Sequence, residues 1–265
     1  MTVPVTSGEK FRVLKRKTFH PSPPFEGVAT EPIGPDADEL NSHFVQKWEA
    51  ARLRRETRRI KASRSRSMRE FHVPKYSDLG ASIASDLASE GRKGLLGEIV
   101  TQLLVEDCCR SVRVIYVNYE HTGTANQYGI DLAGVVDKEE VVLVESKFCG
   151  TGESNKNNFQ SYLVQRVRKA LSYFEDPSEL EMKLSDVYFR ILLNETFGRA
   201  TPKDAEQLKK LFESGNCFDL ISAPFDHRGL DQNELLETSA FDPPARSTTL
   251  TSLNLADQNK LLAHL

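Results

Sequence analysis

The chain has little from which to build a zinc site or a disulfide frame. Its four cysteines, Cys108, Cys109, Cys149 and Cys217, show no CxxC spacing and have no paired histidines, so neither is expected. The six histidines are scattered without an HxxxH spacing and read as structural or exposed. No apolar run approaches the roughly 20 residues that span a bilayer, which argues against a membrane protein. Met1 to Thr18 lacks the apolar core of a secretory signal. The expected setting is therefore the cytoplasm, with reduced thiols. The basic character of that stretch leaves an organelle transit peptide, or the nucleus, open. There is no GxxxxGK[ST] stretch, so any ATP-driven step would come from a partner such as a helicase. No internal repeat is present.

What is there is a polar chain with divided charge. Its 265 residues suffice for one sizeable core with extensions, or for two small domains. The net charge of −3 hides an asymmetry: residues 1–75 carry 16 Lys/Arg against 9 Asp/Glu, and residues 76–265 carry 19 against 29. Attraction for a polyanion would come from the N-terminal part. Ten Lys/Arg fall between Lys47 and Arg69. Asp36 or Asp38 can cap a helix that runs to about Ser65 and presents Arg54, Arg55, Arg58, Arg59 and Lys61 for phosphate contacts. The same helix can instead be solvated, dock an acidic partner through Trp48, or fold back on its own acidic domain.

The prolines at 21, 23, 24, 32 and 35 predict an irregular arm over residues 1–35. A basic helical extension and linker follows over 36–90, then a core over 91–225. Residues 226–265 read as a polar tail ending in a short helix, Leu253–Leu265. Within the core, Leu95, Leu96, Ile99, Val100, Leu103 and Leu104 recur at helical spacing and predict a helix over Lys93–Glu106. Val112–Tyr119, Gly129–Val136 and Val141–Phe148 read as strands, the last two as a hairpin. Phe159–Phe174 reads as a second helix and Val187–Leu193 as a fourth strand. A third helix opens at Thr201-Pro202, and Phe218–Ala223 is a fifth strand. Three sequential strands pair most simply as a meander, and strands reached through helices add in parallel. The expected class is α/β, a mixed sheet flanked by helices.

Gly129-Ile-Asp131 precedes Glu145-Ser-Lys147, with fourteen residues from Asp131 to Glu145. On strands, residues two apart share a face, so Glu145 and Lys147 lie together. Both interrupt the apolar run Val141–Val144, and charges there are costly without a partner or an ion. Two neighbouring carboxylates repel unless a cation lies between them. Mg²⁺, or Mn²⁺, suits such oxygen ligands, and a lysine beside it can orient or deprotonate water. That is equipment for metal-assisted phosphodiester hydrolysis. Convergence depends on register. An even loop between the two strands would pair Asp131 with Ser146, placing Asp131 on the wrong face; an odd-length turn within 137–140, or a bulge near Asp131, restores it.

The order of elements, with Asp131 on the second strand and Glu145-x-Lys147 on the third, resembles the PD-(D/E)xK nuclease superfamily. The resemblance covers residues 94–195 or so, with Ile130 where the family's name has Pro. It implies a restriction-endonuclease-like αβββαβ core behind the basic N-terminal extension. It also implies a Mg²⁺-dependent nuclease, with DNA as the expected substrate. Asp131, Glu145 and the Ser146 carbonyl would bind the metal, and Lys147 would assist the attacking water. Glu98, in Gly97-Glu98, matches an acid that often joins the site from the preceding helix. On a helical wheel it lies about 150° from the centre of the apolar stripe, so a solvated glutamate is the alternative. Gln160 and Gln165 match helix positions that hold a metal-bound water or a phosphate in several branches, and Arg166 can contact phosphates; a polar helix face explains all three equally. Gly97-Glu98-Ile, Gly129-x-Asp131 and Glu145-x-Lys147-Phe148 are similar to the nuclease subunit of Hachiman-type antiphage defence systems. That similarity implies a role in host defence, with DNA repair fitting the same residues. The alternative from another class is an inactive nucleic-acid-binding or adaptor protein that works through the basic helix and a protein partner.

Overall fold

Seven strands form one mixed sheet in the computed structural model. It describes residues 2–33, 42–43, 46, 89–118, 130–147, 165, 168, 176–192, 200–215, 217–225 and 247–254. The strands are β1 (Phe11–Pro21), β2 (Pro24–Pro32), β3 (Val112–Val117), β4 (Leu132–Val136), β5 (Glu140–Ser146), β6 (Cys217–Phe225) and β7 (Thr248–Asn254). Among the described residues the helices with defined bounds are α1 (Ser89–Cys108), α2 (Pro177–Leu192) and α3 (Pro202–Glu213). Across the sheet the order is β1-β2-β7-β6-β5-β4-β3. The pairs β2–β7, β7–β6 and β6–β5 are parallel, and antiparallel pairs close both sides. This is the expected α/β class. No helix among the described residues is long and apolar enough to cross a membrane.

Alternation along the strands separates two apolar layers. Ile99, Val100, Leu103 and Leu104 of α1 pack on Leu132, Val142, Val144 and Leu220. On the other face, Leu180, Leu184, Val187 and Ile191 of α2, with Ala205 and Leu208 of α3, cover Ala133, Val135, Val141, Leu143 and Ile221. The start of α3 follows from sequence: the Thr201 side chain accepts from the Asp204 N–H, Asp204 reaches back to the Thr201 N–H, and Pro202 occupies the first turn. Partial burial pushes the Asp204 carboxyl up, but hydrogen bonds from Arg113 and Thr201 outweigh it and hold the group below its usual range.

Three expectations give way. Residues 11–32 are not an irregular arm but strands β1 and β2. Pro21, Pro23 and Pro24 cluster at their turn and Pro32 ends β2, where missing N–H groups cost few ladder bonds. Val187–Leu193 is not a strand: residues 187–192 continue α2. Val187, Tyr188, Phe189 and Ile191 have β-forming side chains, yet the 3–4 spacing of Leu180, Leu184, Val187 and Ile191 prevails. The tail is not wholly outside the core either. Thr248–Asn254 is β7, inserted between β2 and β6, and Leu253 lies in it, not in a helix. Its Thr248, Thr249 and Thr251 are fully buried. β-branched Thr fits a sheet, and its hydroxyl can bond backbone: the Val3 N–H donates to Thr249 Oγ1, at 3.1 Å, and Thr251 Oγ1 donates to the Ile221 carbonyl, at 3.4 Å. The sheet therefore extends beyond 91–225 at both ends of the chain.

Asp107, at the end of α1, fastens the start of β1. Its carboxylate accepts from the backbone N–H groups of Glu9 at 3.1 Å, Lys10 at 2.9 Å and Phe11 at 3.0 Å. Gly8 lies so close that an added Cβ would collide with the Asp107 side chain and carbonyl. Asp107→Ala is expected to cost about 2 kcal/mol, since bonds to a charged acceptor are lost and the freed donors are only partly reached by water. Asp107→Asn should recover part of that loss. A urea-unfolding midpoint unchanged in Asp107→Ala would show that the clasp contributes nothing.

Candidate metal centre

The hairpin between β4 and β5 sets the geometry. Its ladder runs from Leu132 opposite Val144 to Val136 opposite Glu140, which leaves the three residues Asp137, Lys138 and Glu139 in the turn. Asp137 and Lys138 take positive φ, 48° and 68°. The turn is thus odd in length, as convergence requires. One step beyond the ladder, Asp131 stands opposite Glu145. Asp131 is tied in from both sides: its carbonyl accepts from the Asn118 N–H at 2.9 Å, and its Oδ2 accepts from the Ser146 N–H at 2.7 Å. Asp131 and Glu145 share the face of Ala133 and Leu143, which α2 and α3 cover.

Lys147 continues the line of β5. Its N–H donates to the Ser222 carbonyl of β6 at 2.8 Å, and its Nζ pairs with Glu145 Oε1. The centre thus sits at the carboxyl end of parallel strands, where open α/β sheets place ligands. Ser146 faces the other way, toward α1. Thr101 Oγ1 lies 3.0 Å from Ser146 Oγ and 2.9 Å from Ser222 Oγ. A hydroxyl can donate to one and accept from the other, so Thr101 fastens α1 to β5 and β6 directly beneath the centre.

The electrostatics are those of crowded acids. Burial, and then the Glu145 charge, push the Asp131 carboxyl up to about 7, although Lys147, the Ser146 N–H and Lys183 pull it down. Glu98 is raised well above the usual carboxylate range by burial, then by Asp131 and Glu145, against the pull of Lys147. The four side chains Glu98, Asp131, Glu145 and Lys147 are therefore within electrostatic reach of one another, with Glu98 arriving from α1. Glu145 is 4% exposed, and among the described residues its Oε2 meets no hydrogen-bond donor. A buried carboxylate oxygen without a donor suits a hard cation. Among the described residues no group of three or more His, Cys, Asp or Glu side chains is placed to hold a metal ion.

Arg54, Arg55, Arg58, Arg59, Lys61, Gln160 and Arg166 lie outside the described residues, while Gln165 is helical and exposed. Two features escape the sequence reading. Thr101 gives no pattern that would single it out. Lys183, 3% exposed on α2, acts electrostatically on Asp131. Its signal was legible: it falls within the stripe of Leu180, Leu184, Val187 and Ile191, but a strand assumed to begin at Val187 hides that stripe. No protein-family model matches the chain, and no curated protein matches it either.

Proposed function

We propose that the protein is a metal-dependent nuclease of the PD-(D/E)xK, restriction-endonuclease-like type, with DNA as the favoured substrate. One observation carries the reading: the three-residue turn sets Asp131 opposite Glu145 on one face, two residues before Lys147, at the carboxyl end of β5. Asp131, Glu145 and the Ser146 carbonyl would hold Mg²⁺ or Mn²⁺. The ion, when bound, supplies positive charge to the phosphate and leaving oxygen. Lys147 reaches the same carboxylate from the adjacent position, so its ammonium can orient a water toward the phosphate. Glu98 adds a further carboxyl, raised by burial and then by Asp131 and Glu145, that can take or give a proton. The Ser146 N–H holds Asp131 in place, and Thr101 bonds the Ser146 hydroxyl from α1. The basic stretch 47–69 is proposed to bind the phosphate backbone, with a helicase or other protein partner supplying any ATP-driven step. Likeness to Hachiman-type subunits favours host defence as the setting.

The full chain incubated with supercoiled, linear and single-stranded DNA, and with RNA, tests the reading. Cleavage is expected with Mg²⁺ or Mn²⁺ and not with EDTA. Metal-independent binding of DNA without cleavage of any substrate would overturn it in favour of an adaptor.

A further inference from the structure

Lys183 lies near the middle of α2, 3% exposed. It sits among Leu180, Leu184 and Val187, which pack on the sheet face that Asp131 and Glu145 share. An ammonium in such a stripe is costly unless opposite charge balances it. Packing alone would be served better by a leucine or a methionine. The opposite charge is at hand, because α2 covers the face of Ala133 and Leu143 on which Asp131 and Glu145 lie, and Lys183 bears on Asp131 from there. Lys147 is already paired with Glu145. In formal charge, three carboxylates face two lysines, so a divalent cation would enter a centre whose negative charge is already partly offset.

We propose that Lys183 is a built-in counter-ion of this centre, a positioning residue that steadies Asp131 before a divalent cation arrives. The proposal rests on the reading of the site as a metal centre. It has a consequence of opposite signs. Lys183 and the cation bear on the same negative charge, so removing Lys183 loosens the metal-free protein but tightens cation binding. A lysine that served only to pack its methylenes would weaken or leave unchanged both quantities.

The test uses the full chain, wild type, Lys183→Met and Lys183→Arg, with calcium chloride as the probe and manganese chloride as a second for the wild type, at pH 8 and without nucleic acid. Calorimetric titration gives the affinity, and melting in EDTA gives the metal-free stability. Lys183→Met is expected to melt several degrees lower in EDTA yet to bind Ca²⁺ about fivefold more tightly, from loss of one repelling charge. Lys183→Arg should stay near wild type in both. Unchanged or weaker Ca²⁺ binding by Lys183→Met, where wild type binds, overturns the counter-ion role alone. A wild type that binds neither Ca²⁺ nor Mn²⁺ overturns the metal reading and this role with it. If Lys183→Met does not fold, the double variant Asp131→Asn, Lys183→Met decides, since it removes both charges together. It is expected to fold in EDTA and to melt close to Asp131→Asn, and a double variant that stays unfolded overturns the proposal.

Discussion

Asp131→Asn is expected to lower the proposed metal-dependent DNA cleavage by about a hundredfold to a thousandfold or more, the scale seen when one preorganised charge-stabilising group is removed. The fold should survive. An asparagine keeps a side-chain oxygen that can accept from the Ser146 N–H, which now bonds Asp131 Oδ2 at 2.7 Å. Lys147→Ala should lose activity on a similar scale but cannot be assumed benign. Glu145 is 4% exposed and its Oε1 is paired with Lys147 Nζ, so truncating the lysine leaves a buried carboxylate without its partner. Such losses cost about 3–5 kcal/mol. Circular dichroism and melting must therefore accompany the assay. Full cleavage by a folded Asp131→Asn variant would remove Asp131 from the chemistry.

The convergence of Asp131, Glu145 and Lys147 was more legible than the sheet that carries it. Asp131 and Glu145-x-Lys147 stand out because charge interrupts an apolar run, and the need for an odd turn follows from the two-residue period of a strand. The three-residue turn at Asp137–Glu139 meets that need. Local propensity misled wherever tertiary pairing decides. Prolines at 21, 23 and 24 signal a break, but the break is a turn between two strands. Thr248–Thr251 looks like a polar run, yet two neighbouring strands bury it. Neither partner strand, β2 nor β6, is near it in sequence, and a pairing that closes over so many residues leaves no local trace. Val187–Leu193 failed for a different reason. A window of seven residues is too short for a helical period to declare itself, and only the extension back to Leu180 reveals the stripe and, with it, Lys183.

In the absence of metal, stability is expected to fall as pH rises from about 4 to 8. The sign follows from Asp131. Its folded-state carboxyl is raised to about 7 by burial and then by Glu145, whereas an unfolded aspartate titrates near 3.9. Between those values the folded state binds more protons, so raising the pH favours unfolding. The penalty is on the order of 1–2 kcal/mol at pH 5 and of a few kcal/mol at pH 8, where it is nearly complete. Glu98 is shifted in the same direction and steepens the trend. Asp204, held low, acts oppositely: its contribution is present above its unfolded value and is lost as pH falls through its lowered folded value, outside this window. Asp131→Asn removes the Asp131 penalty, so in EDTA the variant should melt above wild type at pH 8, and the gap should narrow toward pH 5. Saturating Mn²⁺ at pH 8 should reverse the order, because only wild type offers the full carboxylate pair. The decisive measurement is the melting temperature of both proteins at pH 5 and pH 8, with EDTA and with Mn²⁺. A variant that melts below wild type in EDTA at pH 8 would mean that Asp131 is already well balanced without a metal, and that the acids of this centre do not await one.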